Sequence, residues 1–122
     1  MGNETLKSSI YVACLAAYND GFLHGVWIDA DQSVADIQRK IDAMLRASPA
    51  PGAEEFEIHD YEGFGGLRVK EYSEIDTLSR IAAFVTEYGA LGVETAQRFD
   101  GDIEKARASL LAAKKGALPA KA

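Results

Sequence analysis

The chain has 122 residues, 48% of them apolar and 26% charged, with a net charge of −6. This composition is that of a globular protein rather than a disordered one, and the length suits one ordinary domain or two very small ones. The negative balance argues against a direct nucleic-acid binder, which must bring cations to replace the counterions on phosphates, and no apolar run approaches the roughly 20 residues of a membrane-spanning helix.

The charge is uneven. Residues 1–76 hold 14 acids and 6 bases, whereas residues 77–122 hold 5 acids and 7 bases. The acidity therefore belongs to the front of the chain. The start, "MGNETLKSS", lacks the basic and apolar regions of a signal peptide, and the only cysteine, Cys14, can form no internal disulfide. Both features predict a cytoplasmic protein.

In chain order, "SIYVACLAAY" (9–18) reads as a strand with apolar residues on both faces. "NDG" (19–21) is turn chemistry, and "FLHGVWID" (22–29) reads as the returning strand, so 9–29 is expected to form an antiparallel hairpin. Gly25 within it suggests a bulge or a close backbone approach. Val34, Ile37, Ile41, Met44 and Leu45 then recur at helical spacing. Ser33 with Asp36 resembles a capping box, and Pro49 ends the helix. "EFEIHDY" (55–61) alternates as a third strand, with Phe56 and Ile58 facing one way and Glu57 and His59 the other. "EGFGG" (62–66) is a loop.

Behind it the pattern is helical. Ser73 with Asp76 resembles a second capping box. Ile75, Leu78, Ile81, Ala82 and Val85 form a stripe that ends at Gly89, a residue suited to the C′ position. "LGVETAQRF" (91–99) predicts a short helix. "DIEKARASLLAAKKG" (102–116) predicts another, capped by Asp102 and closed by Gly116, with Lys114 and Lys115 complementing its dipole. The expected fold class is α+β: a small three-stranded antiparallel or mixed sheet with one packed helix, then a small helical unit. The expected division is 1–68 for the α/β unit, 69–116 for the helical unit and 117–122 for a loose tail.

Few residues form a constellation for chemistry. His59 and Asp60 are adjacent, but neighbours on a strand point to opposite faces, so with His24 they do not converge on a metal. Cys14 sits mid-strand in an apolar run, where a cysteine is core rather than nucleophile. "GFGG" is followed by no Lys-Ser or Lys-Thr, so it is not a phosphate loop. No nucleophile elbow is present. Tyr11, Tyr18, Phe22 and Trp27 read as hairpin core or sheet surface, since a platform for bases would want Lys and Arg beside it. No enzyme, cofactor or metal is expected.

The acids remain to be explained. Five carboxylates fall between Glu54 and Glu62 without a Lys or Arg among them. A solvated, solubilising surface is the plain account. On the helix over 33–47, Asp36 can pair with Lys40 and Asp42 with Arg46 at i,i+4. By contrast, Asp20, Asp29, Asp31, Glu54, Glu55, Glu57, Asp60 and Glu62 have no basic residue within several positions. Such unneutralised carboxylates on loops and strands are what a mimic of phosphates would need.

The stretches "IYVACLAAYNDGFLHGVWIDA" (10–30), "EIHDYEGFGG" (57–66) and "IAAFVTEYGALG" (81–92) resemble ArdA-type antirestriction proteins, over roughly residues 9–111 in order. The resemblance implies an α/β unit followed by a helical unit. It also implies an inhibitor without chemistry of its own, which imitates bent B-form DNA and occupies the DNA-binding groove of type I restriction-modification enzymes in a bacterial host. The partner-binding carboxylates would be Asp20, Asp29, Asp31, Glu54, Glu55, Glu57, Asp60, Glu62, Glu71, Glu74 and Asp76. Family members usually continue through another acidic third that joins two subunits. Here the sequence stops after "LLAAKKGALPAKA" and its last part is not acidic, so a short member is expected and the dimer contact is not carried over. A short mimic would cover roughly one helical turn, which fits the duplex slot of a CRISPR surveillance complex as well as a restriction enzyme. The competing expectation is an interaction module that binds a partner through its apolar hairpin.

Overall fold

Apolar residues alternate with polar or small ones along Ser9–Cys14, and this segment is the central strand, β1, of a three-stranded sheet. The computed structural model describes residues 7–69 and 74–114. Strand β2 (Gly25–Asp29) pairs antiparallel with β1 on one side, and β3 (Phe56–Glu62) pairs antiparallel on the other, giving the order β2-β1-β3. The class is α+β, as the sequence predicts.

The expected strand over 9–18 stops early. Leu15–Asn19 is a short helix, α1, with Cys14 as its N-cap and Asp20 as its C-cap. Leu and Ala favour helix over strand, and the Asn-Asp-Gly sequence ends that helix rather than closing a hairpin. Gly21, at φ 91°, occupies the left-handed region that turns the chain back toward β2. The antiparallel pairing survives, but β2 begins at Gly25 rather than Phe22.

Helix α2 (Val34–Arg46) forms where the periodicity places it. The Ser33 hydroxyl accepts a hydrogen bond from the Asp36 N–H at 3.0 Å, which satisfies one of the free donors of the first turn. Ile37, Ile41 and Met44 share a stripe and are buried with Ile10, Val12, Cys14 and Ile28 of the sheet. Each buried Ile or Val contributes about 1.5–3 kcal/mol from removal of apolar surface from water. The expected partners of α2 change: Asp36 pairs with Arg39 at 2.6 Å rather than with Lys40, and Asp42 accepts from Gln38 at 2.9 Å rather than from Arg46. The i,i+3 and i,i+4 positions are both neighbours on a helix face, so spacing alone does not choose between them.

Helix α3 (Ile75–Arg98) is interrupted at Gly89, whose φ of 59° and ψ of −145° are non-helical. This break is where the sequence predicts one helix to end and another to begin. Glu74 is the N-cap and makes no side-chain cap bond; the proposed partner Ser73 lies outside the described residues. Leu78, Ile81, Ala82, Phe84 and Val85 join the same core as the sheet and α2. Helix α4 (Ile103–Lys114) starts as expected, with the Asp102 carboxylate accepting from the Glu104 and Lys105 N–H groups at 3.1 Å each. Arg107 of α4 lies 5.5 Å from the centroid of the Phe84 ring and 3.1 Å from Glu87, tying α4 to α3. Lys115, Gly116 and the tail lie outside the described residues.

Candidate functional site

The sheet has two unlike faces. Register puts Ile10 beside Ile28 and Tyr61, and Val12 beside Val26 and Ile58; α2 packs on this face, with Val26 left exposed at its edge. The other face presents Ser9 between Asp29 and Glu62, then Tyr11 between Trp27 and Asp60, then Ala13 between Gly25 and Glu57. Among the described residues this second face is open: Asp29, Glu57, Asp60 and Glu62 are exposed, and Trp27 is 43% exposed.

A bulge in β3 creates that arrangement. Tyr11 pairs with Asp60 and Val12 with Ile58, so His59 is an extra residue in the ladder. Strict alternation, as the sequence suggests, would send Asp60 and Glu62 to the side of Ile58 and into the core. The bulge resets the pleat. Tyr61 then joins Phe56 and Ile58 against the core, while Asp60 and Glu62 join Glu57 on the open side. Burying two carboxylates without partners would cost more than one disrupted ladder position. His59 Nε2 lies 3.4 Å from Glu57 Oε1, and its ring meets Tyr18 edge-on with centroids 4.9 Å apart.

The remaining acids lie outside these three rows. Beyond the Ala13 row, the Leu15 N–H donates to the Glu55 carbonyl at 2.9 Å, which places Glu54 and Glu55 beside α1, with exposed Asp20 at its far end. Beyond the Ser9 row, the Asp29 carboxylate accepts from the Asp31 N–H at 3.0 Å and shapes the turn into α2. Asp31 is half-buried. Ser79 donates to the Gln32 carbonyl at 2.7 Å, which brings the start of α3, with Glu74 and Asp76, against this turn. Asp76 differs from the others, because Arg80 lies 3.3 Å away and partly neutralises it. Glu71 lies outside the described residues. Among the described residues no Lys or Arg forms an ion pair with Asp20, Asp29, Asp31, Glu54, Glu55, Glu57, Asp60, Glu62 or Glu74.

The other chemically capable side chains have structural partners. His24 Nε2 is 2.9 Å from the Met44 carbonyl and joins β2 to the end of α2. Cys14 is fully buried, with its Sγ 3.2 Å from Ser48 Oγ. Burial raises the Cys14 thiol pKa, but the bonds from Ser48 and from the Ala17 and Ala16 N–H groups outweigh it and the net shift is downward. With no accessible surface, that thiol has no path to a substrate. A cavity of about 450 Å³ lies between the loop after β3 and the α3–α4 turn, lined by Leu67, Val69, Ile81, Gln97, Asp100 and Ile103 among others. Among the described residues no three His, Cys, Asp or Glu are grouped to hold a metal ion, and no helix is long and apolar enough to cross a membrane.

Sequence reasoning missed the role of position at Tyr11 and Trp27. Their rings are 5.4 Å apart at 60° in the middle of the acids. The alternation of β1 gave the side of Tyr11, but only the register of three strands brings Trp27 and the carboxylates around it.

Fold and face together define a class: a small acidic α+β protein that gathers unneutralised carboxylates on one open sheet surface. Comparison with family models then supplies the family. The chain belongs to the antirestriction protein (ArdA) family, whose model matches residues 10–118. Neither the curated proteins nor the solved structures gave a match.

Proposed function

We propose that this antirestriction protein acts as a DNA mimic, presenting the carboxylates of its open sheet face to the Lys and Arg that a bacterial defence complex keeps for duplex DNA. One observation carries the reading. Asp29, Glu57, Asp60 and Glu62 share one exposed surface, Asp60 and Glu62 by virtue of a bulge, and among the described residues no Lys or Arg pairs with them. A merely soluble surface needs no such alignment. The six residues of β1 span about 20 Å at ~3.4 Å per residue. That is the rise of roughly six phosphates of one DNA strand. With Glu54 and Glu55 at one end and Asp31 at the other, the acids extend toward one helical turn. A face of that length suits a type I restriction-modification enzyme, and it equally suits the short duplex slot of a CRISPR surveillance complex.

The test is competition. A type I restriction-modification complex is titrated with the protein at several salt concentrations, with and without cognate duplex, and a CRISPR surveillance complex is treated in parallel. Binding is expected to exclude duplex and to weaken as salt rises, because exposed charges are screened over about 10 Å at 0.1 M salt. Much of the salt effect should fall on the association rate. Simultaneous binding of DNA and protein, or an affinity indifferent to salt, would refute mimicry.

A second reading has its own observation. Tyr18, Phe22 and Leu23, in α1 and the connection to β2, are 53%, 60% and 68% exposed. An apolar patch of this kind suits an interaction module that does not imitate DNA. Salt-independent binding alongside duplex is the outcome that selects it.

A further inference from the structure

We propose that the Tyr11–Trp27 pair is the anchor of the acidic face, and that it receives an arginine side chain of the partner protein, stacked on the Trp27 ring and held at its edge by the neighbouring carboxylates. The inference rests on the docking role proposed above and goes further by locating where the face discriminates among cations.

The geometry of the face supports an anchor rather than an even field. The residues completing its rows are small: Ser9, Ala13 and Gly25. Trp27, 43% exposed, is the more accessible of the two rings, with Tyr11 half-buried beside it. Asp60 lies across β1 from Trp27 in the same row, and Asp29 and Glu62 flank the next row. Asp29 lies two residues along the same strand from Trp27, about 7 Å away and within reach of a long side chain seated on the indole, and Asp60 lies two strand spacings away, about 10 Å.

Charge complementarity selects the occupant. An apolar segment would have to strip water from four carboxylates without replacing those contacts. A nucleobase would bring phosphates against the same carboxylates. A cation satisfies both the ring and the acids. Between the two basic side chains, the guanidinium is planar, weakly hydrated and able to stack on an aromatic face while its edge bonds a carboxylate in bidentate fashion; the ammonium is a compact, strongly hydrated charge. The face is therefore built for arginine over lysine.

Two dye-labelled hexapeptides, six arginines and six lysines, provide the test, with binding followed by fluorescence anisotropy. Trp27 is the only tryptophan of the chain, so its emission reports contact directly. The arginine peptide should bind roughly three- to fivefold more tightly and alter Trp27 emission, whereas the lysine peptide should alter it little. In Trp27→Leu the preference should vanish while both peptides keep salt-dependent binding. Trp27→Phe retains a ring and should keep part of the preference, which covers the case in which the leucine variant fails to fold. Equal binding of the two peptides to the unaltered protein, or a preference that survives Trp27→Leu, overturns the anchor and leaves the acidic docking face standing. Binding of neither peptide overturns both.

Discussion

The ring of Tyr11 lies across Gly25 of the neighbouring strand. A methyl group at Gly25 would stand 2.5 Å from the Val12 carbonyl oxygen and 2.9 Å from both the Tyr11 Cζ and its hydroxyl oxygen. The missing side chain is thus what leaves room for the Tyr11 ring at Gly25, beside Trp27.

Gly25→Ala is expected to destabilise the protein by about 1–3 kcal/mol, because the Val12 carbonyl belongs to the central strand and cannot move aside freely. Chemical denaturation measures the loss. Trp27 emission should shift as well, since its neighbouring ring is displaced. Unchanged stability and emission would mean that the close approach of Tyr11 is unimportant.

Asp100→Gly should have the opposite effect. Asp100 has a φ of 57° at the end of α3, and its N–H donates to the Gln97 carbonyl at 3.2 Å while that of Gly101 donates to the Ala96 carbonyl at 2.7 Å. This pattern is a Schellman cap with Asp at the left-handed position that glycine favours. Relief of that strain should raise stability by about 0.5–1 kcal/mol, less the extra entropy of glycine in the unfolded chain. Thermal melting of the two proteins side by side would show it.

The start of α2 should give the protein an acid-sensitive element. The Arg39 guanidinium, then the Ser33 hydroxyl, hold the Asp36 carboxyl below the ordinary carboxylate range. A folded pKa lower than the unfolded one favours the ionised form in the native state. Its stabilising contribution is therefore present above the unfolded pKa, near about pH 4, and is lost as pH falls through the folded value. Asp36→Asn should flatten that part of the pH–stability curve. Ser33→Ala should cost about 1 kcal/mol at neutral pH through loss of the cap.

Charge on the acidic face should act collectively. Replacing any one of Glu55, Glu57, Asp60 or Glu62 by its amide should weaken partner binding no more than about fivefold, as expected for exposed charge pairs. Replacing all four should weaken it by far more and flatten its salt dependence. If Asp60→Asn alone abolished binding without unfolding the protein, a localised site would replace the distributed one.

Much of this molecule was legible from residue order. The stripe Ile37, Ile41 and Met44 identified α2, Ser33 and Asp102 marked two helix starts, and Gly89 marked the break in α3, because caps and amphipathic faces are set by neighbours within a few positions. The helix α1 was not legible, since "LAAYNDG" can end a strand or a helix and the choice depends on what Leu15 and Ala17 pack against. The family, too, was carried by short quoted stretches. The geometry of the acidic face was decided elsewhere. Alternation alone sends Asp60 and Glu62 toward the core, and the bulge at His59 becomes visible only when β3 is set against β1. Pair choices such as Asp36 with Arg39, and the meeting of Trp27, Tyr11 and the carboxylates from three strands, depend on register and rotamer. Sequence determines which residues are acidic and which segments can bury an apolar face; only the packed sheet decides which of those acids share a surface, because burial of the opposite face fixes the pleat.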